Sequence, residues 1–217
     1  AGLASIVVWD IRLPRVACGF LVGAGLAVSG ATLQGLFRNP LADPALIGVS
    51  SGAAIGGVTA MVILPLLAAS SAAEGGLGGV VIGALAEAGL PVLAMGGAVG
   101  FAFLVYRVSL VGGRVHVPSM LLTGIAMNAI GGAFVGLVLT VFASDEQIRS
   151  VTFWTLGSLS GSNWPAAGLI ALLLLPGLIL AFRLGPALNA LLLGEVEAKH
   201  LGARRIDHPL QPYQHEI

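Results

Sequence analysis

Met120-Leu-Leu-Thr-Gly-Ile-Ala-Met-Asn-Ala-Ile-Gly-Gly-Ala-Phe-Val-Gly-Leu-Val-Leu-Thr-Val-Phe142 is the stretch whose reading decides the fold. It carries no charge, and only Thr123, Asn128 and Thr140 offer polar side-chain atoms for hydrogen bonds. A helix crosses the hydrocarbon core of a bilayer with about 20 apolar residues, so this stretch reads as a transmembrane helix. The same pattern recurs on both sides of it. Charge-free runs extend over 16–37, 44–73, 88–106 and 150–182. Trimming their polar ends predicts five spans, at 16–37, 48–68, 90–106, 120–142 and 165–182. The third is short and flanked by Pro91.

The composition agrees. Of 217 residues, 57% are hydrophobic and 9% charged, against roughly 25% charged in an ordinary soluble domain. So few charges cannot cover a soluble surface, which predicts an all-α, polytopic transmembrane bundle of about five helices. Ten basic and ten acidic residues cancel, and no basic cluster stands ready for a nucleic-acid partner. The 32 glycines are scattered through the apolar runs, as expected where helix backbones approach closely in lipid. Small-xxx-small pairs recur at Gly19/Gly23, Gly52/Gly56, Gly96/Gly100 and Gly132/Gly136. Cys18 lies in an apolar run and reads as a small packing residue.

Lysine and arginine set the orientation, because they accumulate on cytoplasmic loops. Five spans place Arg38, Arg107, Arg114, Arg183, Lys199, Arg204 and Arg205 on one side and Arg12, Arg15 and Arg149 on the other. The first side is therefore inside, and the chain starts outside and ends inside. The start lacks both an initiator methionine and a basic signal-peptide region, so the chain is expected to begin within a longer protein.

Three polar segments stand out. Arg12-Leu13-Pro14-Arg15 holds two cations at the outer mouth of the first span. It reads either as interfacial anchors or as docking points for carboxylates of an extracytoplasmic partner. Arg38-Asn-Pro-Leu-Ala-Asp-Pro44 is an inner turn in which Asn39 and Asp43 suit a helix cap. Leu193–Gly202 is a short amphipathic stretch with Glu195 and Lys199 in the favourable order, suited to a lipid surface or to a protein partner. An outer stretch, Asp145 to Trp164, begins like a helix capped by Ser144 and carries Trp154 and Trp164 for the interface.

Arg12–Arg15, the run Gly23–Gln34, Asn39–Pro44, Leu46–Gly52 and Leu193–Gly202, in this order, resemble the FecCD-type permease family: membrane subunits of ATP-binding-cassette importers for haem, ferric siderophores and cobalamin. The resemblance runs from about Trp9 to Gly202. It implies helices two to six of a ten-helix permease that works as a homodimer in the bacterial inner membrane. It implies that Arg12 and Arg15 dock a periplasmic substrate-binding protein. Gly194, Glu195, Glu197, Lys199 and Gly202 would couple to a separate ATPase subunit, and Thr123 and Asn128 would face the translocation path. The haem-importing branch is the nearest match, on Asp145–Arg149, Thr152–Trp154, Gly157–Leu159 and Leu192–Ala198; a ferric siderophore or cobalamin is the alternative.

No catalysis is expected. The chain has no Gly-x-x-x-x-Gly-Lys phosphate loop, no paired nucleophile and base within a span, and no histidines at metal-ligand spacing, so neither cofactor nor metal is expected. A secondary transporter or channel usually keeps an ionisable residue inside a span, and none lies well within these. Residues 203–217 depart from the family, with two prolines and no apolar run. They read as a non-native tail on a truncated permease domain, 1–202, which leaves a non-functional fragment as a further alternative.

Overall fold

The computed structural model describes residues 2–71, 77–111 and 114–192. Five of its helices are long and apolar enough to cross a membrane, which agrees with the all-α bundle read from the sequence. Helix α1 spans Ala4–Phe37 and α2 Val49–Ser70. Helix α3 runs Leu77–Val108, α4 Val117–Phe142, the short α5 Asp145–Leu156, and α6 Trp164–Leu192. A two-residue ladder, Leu110–Val111 against Arg114–Val115, closes the turn between α3 and α4 on the face that the arginine pattern assigns to the inside, and inner and outer are used in that sense.

Two helix starts differ from the sequence reading. α1 begins well before residue 16, so Arg12 and Arg15 lie on its surface and not ahead of it. Its apolar N-terminal residues simply continue the helix. At about 1.5 Å rise per residue, Arg15 stands about 33 Å above Phe37, one hydrocarbon thickness away. The third helix is 32 residues long and carries Pro91 in its interior. Proline is tolerated inside membrane helices because neighbouring groups satisfy the carbonyls it frees.

Helices α2 and α3 cross at glycine. A Cβ on Gly52 would collide with the Gly97 carbonyl, one on Gly56 with the Leu93 carbonyl, and one on Gly97 with the Gly52 carbonyl. Gly124 on α4 sits in the same way against the Leu46 carbonyl, and Gly131 against Ser51. Of the four spaced pairs only Gly52/Gly56 makes a close helix crossing; Gly96, Gly100, Gly132 and Gly136 face open space among the described residues. α1 packs along α6, with Gly25 against Leu174. Cys18 is buried.

Two apolar clusters hold these pieces together. The inner one joins Phe37 and Ala42 to Val105 of α3 and Met120 of α4. The outer one joins Val58 and Val62 of α2 to Val138 of α4 and Val151 of α5. Between α1 and α2 the chain turns sharply. Arg38 takes a left-handed conformation, φ 50°, and closes α1 through bonds from its N–H to the Gln34 and Gly35 carbonyls. Asp43 caps a 3-10 turn, Pro44–Ile47, accepting from Ala45 N–H at 2.6 Å. Asn39 does not cap the following helix; its Oδ1 accepts from Leu41 N–H at 2.9 Å, which shapes the turn itself.

Candidate functional site

The outer end of the bundle is organised by two prolines. A helical carbonyl needs an amide four or five residues ahead, and proline has none. In α1 the turn Val7–Arg12 is a π-helix in which Leu13 N–H donates to the Val8 carbonyl, five residues back. In that register the Trp9 carbonyl would pair with residue 14, which is Pro14. Trp164 fills the gap: its Nε1–H donates to the Trp9 carbonyl at 3.0 Å. α2 carries a related but not identical break, at the carbonyl four residues before its proline instead of five. A second π-turn covers Thr59–Ile63, followed by Pro65. The Met61 carbonyl, four residues before that proline, accepts from Gln147 Nε2–H at 3.0 Å. Gln147 lies in the outer connection between α4 and α6, and Trp164 stands at its end as the first residue of α6.

That connection starts with the cap read from the sequence. Ser144 and Gln147 form a reciprocal capping box at the start of α5. Trp154 lies over Gly57, where a Cβ would come within 2.6 Å of its ring. Gly157 then turns the chain with φ 77°. Arg15 reaches the next segment: Nε–H donates to the Leu159 carbonyl at 3.2 Å and Nη2–H to the Ser160 carbonyl at 3.3 Å. Arg12 is exposed, and its side chain makes no hydrogen bond or ion pair among the described residues. The two arginines therefore stand on one helix in different circumstances.

On α4, Asn128 is half-buried and both ends of its amide are engaged. Oδ1 accepts from Ser51 Oγ–H at 2.7 Å, and Nδ2–H donates to the Ala45 carbonyl at 2.9 Å. It braces α4 against the inner turn and α2. Thr123 is half-buried, and its hydroxyl makes no hydrogen bond among the described residues. Beside it runs an exposed small-residue strip, Ala126, Ala129, Gly132, Ala133 and Gly136.

At the inner end, a cavity of about 580 Å³ opens between α1 and α6, with Gln34, Arg38, Asn39 and Asn189 at its polar side and Val28 and Phe182 on its apolar wall. Gly194, Glu195, Glu197, Lys199 and Gly202 lie outside the described residues, as does the tail from 203.

The comparisons fit this five-span arrangement. The profile of the FecCD transport family matches residues 2–206. The chain belongs to the FecCD transport family. It is 38% identical over 199 residues to a cobalamin import system permease of Halobacterium salinarum, covering 92% of this chain and 48% of the relative. It is 40% identical over 197 residues to a hemin transport system permease of Yersinia pestis, covering 90% and 54%. A solved structure described as an inward-facing conformation of a metal-chelate type ABC transporter superposes with a TM-score of 0.72 at 32% identity, covering 91% of this chain and 56% of that one. The chain thus spans about half the length of the curated relatives it matches. It is a multi-pass integral membrane protein of the bacterial inner membrane.

Trp9, Gln147 and Gly97 were not legible as site or packing residues in the sequence alone. For Gln147 the signal was Pro65 inside an apolar span; Pro14 stood ahead of the span read at 16–37, and nothing marked Gly97. An interior proline announces a freed carbonyl, but not the donor that fills it.

Proposed function

We propose that this chain is the transmembrane part of a permease that, with an ATPase subunit and a substrate-binding protein, carries an iron chelate, haem or cobalamin inward. The observation that carries this reading is the family match over residues 2–206 on a bundle with five spans. Within that class we assign haem. The stretch Asp145–Leu159 resembles the haem branch, and a hemin permease matches at 40% identity; a cobalamin permease at 38% identity makes the alternative concrete.

Each site residue has a role in this scheme. Arg12 and Arg15 form the face for the substrate-binding protein. Thr123 is the polar point on a path lined by the small residues of α4, where a second copy of the permease stands opposite. Asn128 keeps that helix aligned from behind. Gly194, Glu195, Glu197, Lys199 and Gly202 form the contact with the ATPase. No ATP chemistry takes place on this chain.

Uptake into proteoliposomes tests the scheme. The complete permease, its ATPase and its binding protein are reconstituted, and the binding protein is loaded in turn with haem, cobalamin or a ferric siderophore. ATP-dependent haem uptake is the expected result. Uptake of cobalamin alone reassigns the cargo, and uptake of none of the three sinks the importer reading.

A further inference from the structure

We infer that Arg12 and Arg15 do different work at the outer face: Arg12 is the cation that meets a partner's carboxylate, and Arg15 is a positioning residue that fixes the 157–163 connection against α1. The inference rests on the docking role proposed above and divides it.

Arg15 uses one edge of its guanidinium, Nε and Nη2, on the carbonyls of Leu159 and Ser160. That edge is one a carboxylate would take in a side-on bidentate pair. The carbonyls bring no countercharge, so what Arg15 gains here is geometry. Arg12 is one helical turn away and exposed, with its donors unengaged among the described residues. A flexible, solvated cation is what diffusional encounter with an acidic surface uses.

The connection is tied to α1 on both sides of residue 12. Trp164 ties it to the Trp9 carbonyl and Arg15 ties it six residues further along α1, so the two tethers straddle residue 12. Between them the backbone is set by local bonds. Ser160 N–H donates to Ser158 Oγ at 3.1 Å, Ser162 N–H to the Leu159 carbonyl at 3.2 Å, and Asn163 Oδ1 accepts from Ala166 N–H at 2.8 Å. Gly19 completes the fit, since a Cβ there would stand 3.4 Å from Leu159 Cδ1. The connection lies against α1 because that helix offers a freed carbonyl, a fork and a bare surface in sequence.

The test uses the complete permease with its ATPase in nanodiscs. It measures affinity for the substrate-binding protein against salt, with amide hydrogen exchange of residues 157–163. Arg12→Gln is expected to weaken binding about tenfold and flatten the salt dependence, with loop exchange unchanged. Arg15→Lys keeps the charge but not the planar fork. It is expected to speed loop exchange, and to weaken binding as much as Arg15→Gln does while keeping the wild-type salt slope. Trp164→Phe removes the other tether without touching a charge and should shift binding the same way.

If Arg15→Lys binds like the parent while Arg15→Gln is weakened and loop exchange is unmoved in both, Arg15 is a direct contact and the division of labour is overturned. If Arg15→Lys loosens the loop but none of the arginine variants changes affinity, the docking role itself falls, and the division with it.

Discussion

The two ends of the bundle are held together by different means. At the inner end a backbone crossing sets the spacing: Gly124 lies on the Leu46 carbonyl, and the Asp43 and Asn128 side chains only brace the 3-10 turn beside it. At the outer end, backbone meets side chain: Trp164, Gln147 and Arg15 each reach across to a carbonyl. A glycine crossing cannot be adjusted without moving a helix. A side-chain donor can be released and remade by rotating one or two bonds. The inner crossing is thus the stiffer contact, and the outer connection rests on bonds that side-chain rotation can break. The docking proposed above for the outer face would use such a division.

The sharpest way to break the comparison is to fill the glycine crossings. Gly124→Leu and Gly52→Leu drive a side chain into a backbone carbonyl, which no rotamer relieves. Overpacking costs about 1–3 kcal/mol or more, so both should lose most of the folded protein in a thermal series read by size-exclusion chromatography. Gly136→Leu is the matched control on the same helix. It meets nothing within 4 Å and should leave the protomer's stability unchanged while weakening the proposed pairing with a second copy. Equal losses at 124 and 136 would show that the inner crossing is not special.

Asn128→Leu comes next. It strips the partner from the Ser51 hydroxyl and from the Ala45 carbonyl. Interhelical polar contacts in membranes contribute about 0.5–2 kcal/mol, and the loss should appear as a lower melting temperature with the outer amides of α5 still protected. At the outer end, Gln147→Glu sharpens the contrast. Glutamate still serves the capping box but has no amide to give Met61. The expected cost is below about 1 kcal/mol, seen as faster exchange in α5 and no change at the inner turn. A global loss of stability would mean that the outer bond is as structural as the inner ones.

What the sequence told follows the same divide. Hydropathy located all five spans, because lipid exposure imposes it on every turn of every helix. Local chemistry was legible too: Ser144 and Asp43 cap as their residue types require. Contacts far apart in sequence were not. Nothing near Arg15 announces Leu159 and Ser160, and the Asn128 brace reads equally well as a polar path residue until Ser51 and Ala45 are seen beside it. Glycine spacing failed for a related reason. Gly52/Gly56 and Gly132/Gly136 share one pattern, yet only the first pair packs inside the protomer, since spacing sets a face without saying which way it points. α1 runs on beyond the span read at 16–37 because Arg12 and Arg15 interrupt hydropathy but not helix formation.

The smallest effect is also the most specific, and it concerns Pro14. Pro14→Ala returns an amide to α1. In the π register that amide pairs with the Trp9 carbonyl, and in an ordinary α-register with Asp10, which draws the turn tighter. Either way Trp164 loses its acceptor, to competition or to displacement. One backbone bond replaces one side-chain bond, so stability should change by less than about 1 kcal/mol. The indole should report the change strongly. With Trp9→Phe and Trp154→Phe, which keep the main-chain carbonyl of residue 9, Trp164 is the sole tryptophan. Its emission should move to longer wavelength, with greater access to an aqueous quencher, in Pro14→Ala but not in Pro65→Ala, where the released donor is Gln147. An unmoved emission in Pro14→Ala would mean that the proline did not free the carbonyl, and that the outer connection is held on α1 by Arg15 and packing alone.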